Sequence, residues 1–174
     1  MPEIIFDSCV LSDFALSNAI PILERLYARS AFVTDFVAAE ILRGIQKGHS
    51  GLKAIKIALQ KDWLRETVLE SGPEKILFEK LSMSLGLGEA SSIAVAKTRG
   101  WTFACDDKAA REESESIGVR LTGTIGILMK AAKKKTLAAS EADDILALMI
   151  KNGFYSPLKS IHSLQPTAGR LRRR

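Results

Sequence analysis

Two short apolar runs in the sequence end abruptly in acidic residues, and a helical pattern follows each of them at once. Residues 4–6 (Ile-Ile-Phe) are followed by Asp7, and the run 101–105 is followed by Asp106 and Asp107. Parallel α/β folds place their chemistry at the carboxyl ends of buried strands that lead directly into helices. The two runs therefore predict two strands that bring acids to one edge of a sheet.

The rest of the chain repeats this alternation of short apolar runs and helical patterns. Strands are predicted over residues 3–7, 31–34, 63–69, 101–105 and 119–121, and helices over 8–17, 21–28, 35–44, 52–61, 73–85, 89–99, 107–116, 124–134 and 140–151. Asp35 is predicted to cap the third helix, and Ser140 with Asp143 the last one. Strands alternating with helices form parallel βαβ units. The expected fold is an α/β three-layer sandwich with a central five-stranded parallel sheet flanked by helices.

Length and composition predict a single soluble domain. The chain has 174 residues, of which 47% are hydrophobic and 26% are charged, and these proportions are ordinary for a globular protein. We expect residues 1–165 to form one domain and residues 166–174 to form a basic, disordered tail.

Neither membrane insertion nor export is expected. No apolar run approaches the roughly 18–20 residues that a bilayer span requires, and the N-terminus lacks the basic and apolar regions of a signal peptide. Cys9 and Cys105 are too few for a disulfide framework. Two cysteines fit a reducing compartment, so a cytoplasmic protein is expected, with both thiols serving as small core groups.

The charge balance favours an anionic partner. The formal net charge is +5, and part of the excess lies in the runs 133–135 and 170–174. Each run alone is typical of a solvated face or a frayed end. A basic protein that also gathers acids in one place has what phosphodiester cleavage requires, namely positive surface for the backbone and carboxylates for a metal.

Asp7 and Glu40 occupy positions where a carboxylate is expected to lie near the core. Asp7 ends a strand that has no polar alternation, so it either faces the crevice above the sheet or caps the next helix. Glu40 shares the apolar face of its helix with Val37 and Ile41. Buried carboxylates are usually paired or metal-bound. Arg43 is the alternative partner of Glu40 at helical spacing.

Glu89, Asp106 and Asp107 have a simpler alternative explanation, because acids are favourable at helix N-termini. Glu89 follows a glycine-rich turn and lies in the first turn of its predicted helix. Only one of the adjacent pair Asp106 and Asp107 is needed as a cap, which leaves the other free for a site. The remaining aspartates, Asp13 among them, are expected to be caps or surface residues.

Together, these acids indicate a hard-cation site. The two histidines lie far from the acids, which argues against a histidine-based triad, and the sequence has no Cys/His ligand set at the spacing usual for zinc. Neither nucleotide-binding glycine motif is present, and Cys9 stands where an aspartyl phosphatase has its second Asp. All-oxygen ligands select Mg²⁺ or Mn²⁺, which activate water for phosphodiester hydrolysis. Without a cation, mutual repulsion should raise the pKa values of such acids.

The segments that carry these acids resemble those of PIN domains. The matching segments are residues 4–11 (IIFDSCVL), 37–42 (VAAEIL), 86–96 (GLGEASSIAVA) and 105–111 (CDDKAAR), and residues 119–128 (VRLTGTIGIL) and 153–157 (GFYSP) are similar to a PIN-like subgroup related to toxins of toxin–antitoxin pairs. Each motif is short and degenerate, but their order and spacing are specific. The resemblance covers roughly residues 3–165.

The resemblance implies a Mg²⁺- or Mn²⁺-dependent ribonuclease that acts as a toxin or an RNA-processing factor. It implies an RNA substrate, a small antitoxin protein as partner and a homodimer. By position, the metal ligands would be Asp7, Glu40, Glu89 and one of Asp106 and Asp107. The family pattern favours Asp107 as the ligand, with Asp106 in or next to the metal shell.

Three further positions bear on the resemblance. Ser8 matches a hydroxyl that often assists the metal shell, whereas Cys105 replaces the usual hydroxyl and Glu89 stands where many members have Asp. Two alternatives to a nuclease stay open. One is a PIN-like module that binds RNA or a protein without catalysis. The other is a structural protein in which the acids pair with Arg43, Lys108 or Arg111.

Overall fold

Five parallel strands form the central sheet in the computed structural model, which describes residues 2–161. The strands are β1 (Ile4–Phe6), β2 (Ala31–Thr34), β3 (Leu64–Thr67), β4 (Thr102–Ala104) and β5 (Arg120–Thr122), in the spatial order β3-β2-β1-β4-β5. The predicted tail, residues 166–174, lies outside the described residues. Because β1 is central, the residue that follows it lies in the middle of the carboxyl edge of the sheet.

Helices cover both faces of the sheet and complete the predicted three layers. They are α1 (Ser8–Leu16), α2 (Ile20–Tyr27), α3 (Asp35–Gln46), α4 (Lys53–Gln60), α5 (Gly72–Leu81), α6 (Leu87–Arg99), α7 (Lys108–Ser116), α8 (Thr124–Lys133) and α9 (Ala139–Lys151), with a short 3-10 helix over Ser50–Leu52 before α4. Successive strand residues point to opposite faces. Ile4 and Phe6 therefore join the core with α1–α4, α8 and α9, whereas Ile5 joins the core with α5–α7. The predicted fold class is confirmed.

Two predicted caps are wrong. The α3 cap is Thr34, whose hydroxyl accepts a hydrogen bond from the Val37 N–H at 3.2 Å, and Asp35 is already the first helical residue. Helix α9 begins at Ala139, where the Glu141 carboxylate accepts from the Ala138 N–H at 2.7 Å, so Ser140 lies inside the helix. In both cases a neighbouring side chain, Thr34 or Glu141, bonds to the free backbone N–H groups at the helix start.

A buried ion pair joins α5 to α6 behind the sheet. Arg99 Nε donates to Glu74 Oε1 at 2.6 Å, and the Glu74 side chain is only 3% exposed. Burial raises the pKa of Glu74, but hydrogen bonds from Arg99 and from two backbone N–H groups outweigh this and hold it at about 2. Arg99 also donates to the Thr67 hydroxyl and the Val68 carbonyl at the end of β3. The Arg99 guanidinium thus connects α5 and α6 to the edge strand β3.

Within residues 2–161, the structure contains no helix with both the length and the apolar character needed to cross a membrane.

Candidate metal centre

Asp7 lies at the carboxyl end of the central strand and is 3% exposed. Its Oδ2 accepts a hydrogen bond from the Cys9 N–H at 3.3 Å and lies 4.0 Å from Cys105 Sγ. Burial raises the pKa of Asp7, hydrogen bonds from Cys9 and Ser8 lower it, and the charge of Glu40 raises it further. Asp7 is therefore a cap for α1, and it is also a buried carboxylate whose ionised form is poorly stabilised.

Glu40 connects α3 to the same point. The Ser8 hydroxyl, in the first turn of α1, donates to Glu40 Oε2 at 2.9 Å. Glu40 is half-buried, and its carboxylate packs against the backbone of Gly88 in α6. An added Cβ at Gly88 would lie 2.8 Å from Glu40 Oε1. The absence of a side chain at Gly88 thus lets α6 approach the Glu40 carboxylate closely. Through the bond from Ser8, which follows Asp7 in the chain, Glu40 lies near Asp7.

If this site holds the Mn²⁺ that the resemblance implies, a Gly88→Ala variant should bind the ion about 10- to 100-fold more weakly, the range seen when groups that position metal ligands are changed. The new methyl group displaces the Glu40 carboxylate, while alanine is compatible with the helical backbone at this position. Isothermal titration with Mn²⁺ and thermal denaturation measure the two effects. Gly72→Ala, at a helical position where an added Cβ meets nothing within 4 Å, is the matched control. Wild-type Mn²⁺ affinity in Gly88→Ala would contradict the placement of Glu40.

The negative charges of the other candidate acids act on Glu89. It lies in the first turn of α6, where its carboxylate accepts a hydrogen bond from the Gly86 N–H at 3.1 Å. Burial raises the pKa of Glu89, this backbone bond lowers it, and the charges of Asp7, Asp107 and Glu40 raise it again. The expected repulsion among the acids therefore acts on Glu89. Glu89 also bonds to the backbone at the start of α6.

Asp107 caps α7, as expected for one member of the adjacent pair, and Asp106 bonds instead to the backbone at the start of α8. Asp107 caps α7 by accepting from the Ala110 N–H at 2.9 Å and is exposed. Asp106 is half-buried and accepts from the Thr124 N–H, the first residue of α8, at 3.1 Å. Strands β4 and β5 are neighbours, so the loops that follow them lie side by side. The start of α8 therefore lies next to Asp106. The two charges act in different places, Asp107 on Glu89 and Asp106 on Asp13.

Asp13 is a site neighbour that the sequence did not reveal. Burial and the charge of Asp106 raise the pKa of Asp13 to about 7. It lies on α1, almost two turns after Asp7. Its half-buried position follows from how α1 packs beside the loop after β4, which no local pattern encodes.

None of the proposed site acids is neutralised by a basic side chain in the part of the chain that the structure describes. The salt bridges there join Arg99 to Glu70 and Glu74, and Lys108 to Glu112. Arg111 donates instead to the carbonyl oxygens of Cys105 and Thr122. The alternative in which these acids pair with Arg43, Lys108 or Arg111 therefore lacks its ion pairs.

The thiols lie against the first acid. Ligand atoms of Asp7, Cys9 and Cys105 all lie within 4.8 Å of one another. Cys105 is buried and Cys9 is half-buried. A hydrogen bond with Cys105, burial and the charge of Asp7 all raise the pKa of the Cys9 thiol.

A cavity of about 550 Å³ opens beside Asp106. Its lining includes Arg111, Phe154 and Tyr155, together with the loop after β5. Tyr155 is 90% exposed, which is unusual for a large aromatic residue. The cavity therefore offers an aromatic face and a guanidinium next to a candidate site acid.

Comparison with known proteins supports the resemblance seen in the sequence. The sequence model of the PIN domain family matches residues 3–169. The crystal structure of PAE2754 from Pyrobaculum aerophilum superposes with a TM-score of 0.51 at 17% identity, covering 76% of this chain and 98% of that chain, which shows a shared fold. A search of curated proteins found no match. Since the family match spans nearly the whole sequence, this chain belongs to the PIN domain family.

Proposed function

We propose that this protein is a Mg²⁺- or Mn²⁺-dependent endoribonuclease. PIN domains are generally nucleases. The observation that carries the proposal for this chain is the acidic quartet, which we define as Asp7, Glu40, Glu89 and Asp107. Its charges act together on Glu89, and no salt bridge within residues 2–161 neutralises any of them.

The donor set of the quartet fits a hard divalent cation. Every member offers carboxylate oxygens, and the Ser8 hydroxyl already contacts Glu40, so the ligands suit Mg²⁺ or Mn²⁺. When bound, such an ion supplies an activated water and neutralises charge on the scissile phosphate. Ser8 holds the Glu40 carboxylate in place, and the Gly86 N–H does the same for Glu89.

Features beside Asp106 support a single-stranded RNA substrate. Bases of single-stranded nucleic acids stack on exposed aromatic rings, and their backbones follow positive surface. Tyr155 offers such a ring at the cavity next to Asp106, and Arg111 lines the same cavity. The net charge of +5 favours a polyanion. As a biological role we propose the toxin of a toxin–antitoxin pair or an RNA-processing factor, because segments 119–128 and 153–157 resemble that subgroup.

The direct test is cleavage of a labelled single-stranded RNA by the full chain. We expect cleavage with Mn²⁺, none after chelation with EDTA, and about a 100-fold loss in Glu40→Gln, because a metal ligand contributes several kcal/mol to transition-state stabilisation. Glutamine keeps the size of the side chain and an oxygen that can accept from Ser8. Glu112→Gln, on the exposed face of α7, is the control and should cleave normally. Activity that survives both EDTA and Glu40→Gln would refute the proposal.

The two adjacent aspartates are expected to differ in metal binding. We expect Asp107→Asn to weaken Mn²⁺ binding by about 10- to 100-fold and Asp106→Asn to weaken it less, because only the charge of Asp107 acts on Glu89. Asparagine is also a good cap, so α7 should stay folded. Isothermal titration of both variants with Mn²⁺ measures the two affinities. A larger loss of affinity in Asp106→Asn would identify Asp106, rather than Asp107, as the metal ligand.

One observation favours a binding module without catalysis as the second candidate. Glu89 and Asp107 each accept a backbone hydrogen bond at a helix start, which gives both acids a structural role in the absence of metal. A binding module would show salt-sensitive RNA affinity with neither Mn²⁺ binding nor cleavage, so the same titrations separate the two candidates.

A further inference from the structure

The register between the two central strands places a thiol beside the first acid. Phe6 pairs with Ala104, and the Asp7 N–H donates to the Ala104 carbonyl at 2.9 Å. Asp7 and Cys105 are therefore neighbours at the end of β1 and β4. Cys9, in the first turn of α1, uses its own N–H to bond to the same Asp7 carboxylate.

We propose that Asp7, Cys9 and Cys105 form a binding site for a thiophilic divalent cation such as Zn²⁺. The two Sγ atoms and an Asp7 carboxylate oxygen all lie within 4.8 Å of one another. Ligand atoms around tetrahedral zinc lie roughly 3.3–3.8 Å apart, given Zn–S of about 2.3 Å and Zn–O of about 2.0–2.2 Å. Cys105 Sγ and Asp7 Oδ2 are already 4.0 Å apart, so small side-chain movements bring the three ligand atoms to the separations that zinc requires.

The proposed ribonuclease site does not account for these thiols. Mg²⁺ and Mn²⁺ select oxygen ligands, whereas two thiolates with one carboxylate suit a softer ion. The chain has only two cysteines, 96 positions apart by number, and the fold brings both to the same carboxylate. Cys105 is buried, but Cys9 is half-buried and gives an ion access to the group. A water would fill the fourth position, and the two thiol protons would pass to the buffer.

Asp7 belongs to both groups of ligands. Its Oδ2 faces the thiols, while the next residue, Ser8, bonds to Glu40 of the acidic quartet. If the proposed function holds, occupancy of the thiol site withdraws Asp7 from the Mg²⁺ or Mn²⁺ ion. Zn²⁺ would then inhibit cleavage by competition for one shared carboxylate.

The test uses the full chain, reduced and freed of reductant, with Co²⁺ as a spectroscopic probe. Co²⁺ bound by thiolates gives an intense sulfur-to-metal charge-transfer band that oxygen or imidazole ligands do not give. We expect this band at one equivalent of Co²⁺, its loss on adding Zn²⁺, and at least a tenfold weaker Zn²⁺ affinity in Cys9→Ala and in Cys105→Ala.

Asp107→Asn separates this site from the proposed ribonuclease site, because it should weaken Mn²⁺ binding and leave the Co²⁺ band intact. Cys9 is not fully buried, so Cys9→Ala decides the matter even if Cys105→Ala does not fold. A wild-type protein without the band at saturating Co²⁺, or a band unchanged in Cys9→Ala, would overturn the thiol site. Neither result would bear on Mn²⁺-dependent cleavage.

Discussion

An Asp7→Asn variant is expected to lose Mn²⁺-dependent RNA cleavage by about 100- to 1,000-fold, because a metal ion contributes several kcal/mol to the reaction. The same variant should unfold at an equal or higher temperature than the wild type at pH 8. Asparagine caps helices as well as aspartate does, so α1 keeps its first-turn hydrogen bond. What the variant loses is a buried negative charge that faces Glu40.

The direction of the stability change follows from the raised pKa of Asp7. An acid with a raised pKa stabilises the fold only while it is protonated, so stability is lost as the pH rises above the ordinary value of 3.8. The asparagine variant avoids this loss, and its advantage should shrink as the pH is lowered. Cleavage assays and thermal denaturation with EDTA measure the two effects.

Asp62→Asn is a suitable control for Asp7→Asn, since Asp62 is exposed and its backbone φ of 56° suits asparagine as well as aspartate. It should change neither cleavage nor melting temperature. A stable, fully active Asp7→Asn protein would remove Asp7 from the proposed site.

The largest expected effect on stability comes from Arg99. We expect Arg99→Ala to lower the free energy of unfolding by about 3–5 kcal/mol, because it leaves the buried Glu74 carboxylate without its partner. Domains of this kind are stable by only about 5–15 kcal/mol in total. Urea denaturation followed by circular dichroism gives the value.

Two comparisons make the Arg99 experiment decisive. Lys108→Ala breaks an ion pair whose side chains are 88% and 67% exposed, and such surface pairs contribute about 0–1 kcal/mol. A Glu74→Leu/Arg99→Met double variant should recover much of the loss, because it leaves no buried charge unpaired. An Arg99→Ala loss no greater than that of Lys108→Ala would show that Glu74 is stabilised by its backbone bonds alone.

The pH dependence of unfolding tests the same pair. With a pKa of about 2 in the folded state against an ordinary 4.5, ionised Glu74 stabilises the fold fully above pH 4.5. That stability is lost as the pH falls towards 2. The acid-side decline should be shallower in Arg99→Ala.

The order of strands and helices was predictable because its signals are local. Apolar runs such as 4–6 are too short and too continuous for amphipathic helices, and glycine or proline punctuates most connections. The helix start at residue 35 was placed correctly, although the cap was assigned to Asp35 rather than Thr34. The choice between them depends on side-chain geometry that spacing does not show.

Contacts between distant segments were not predictable. The Glu74–Arg99 pair depends on how α5 packs on α6, and the neighbours Asp7 and Cys105 depend on the register of β1 with β4. Asp13 was expected to be a cap or a surface residue, because the charge that acts on it, Asp106, lies at the end of a strand that is distant in sequence. The acids of the quartet were singled out from sequence, and their joint role as metal ligands stays a prediction.

The position of β1 has a consequence for synthesis of the chain on the ribosome. This strand is synthesised before the other strands of the sheet but is central in it, and one of its flanking partners, β4, follows about a hundred residues later, as the separation of 98 positions between Asp7 and Cys105 shows. A nascent chain that lacks β4 also lacks Asp107, so the quartet is incomplete. Since domains fold as units once their segments are available, the proposed nuclease would stay inactive until β4 and Asp107 have been synthesised.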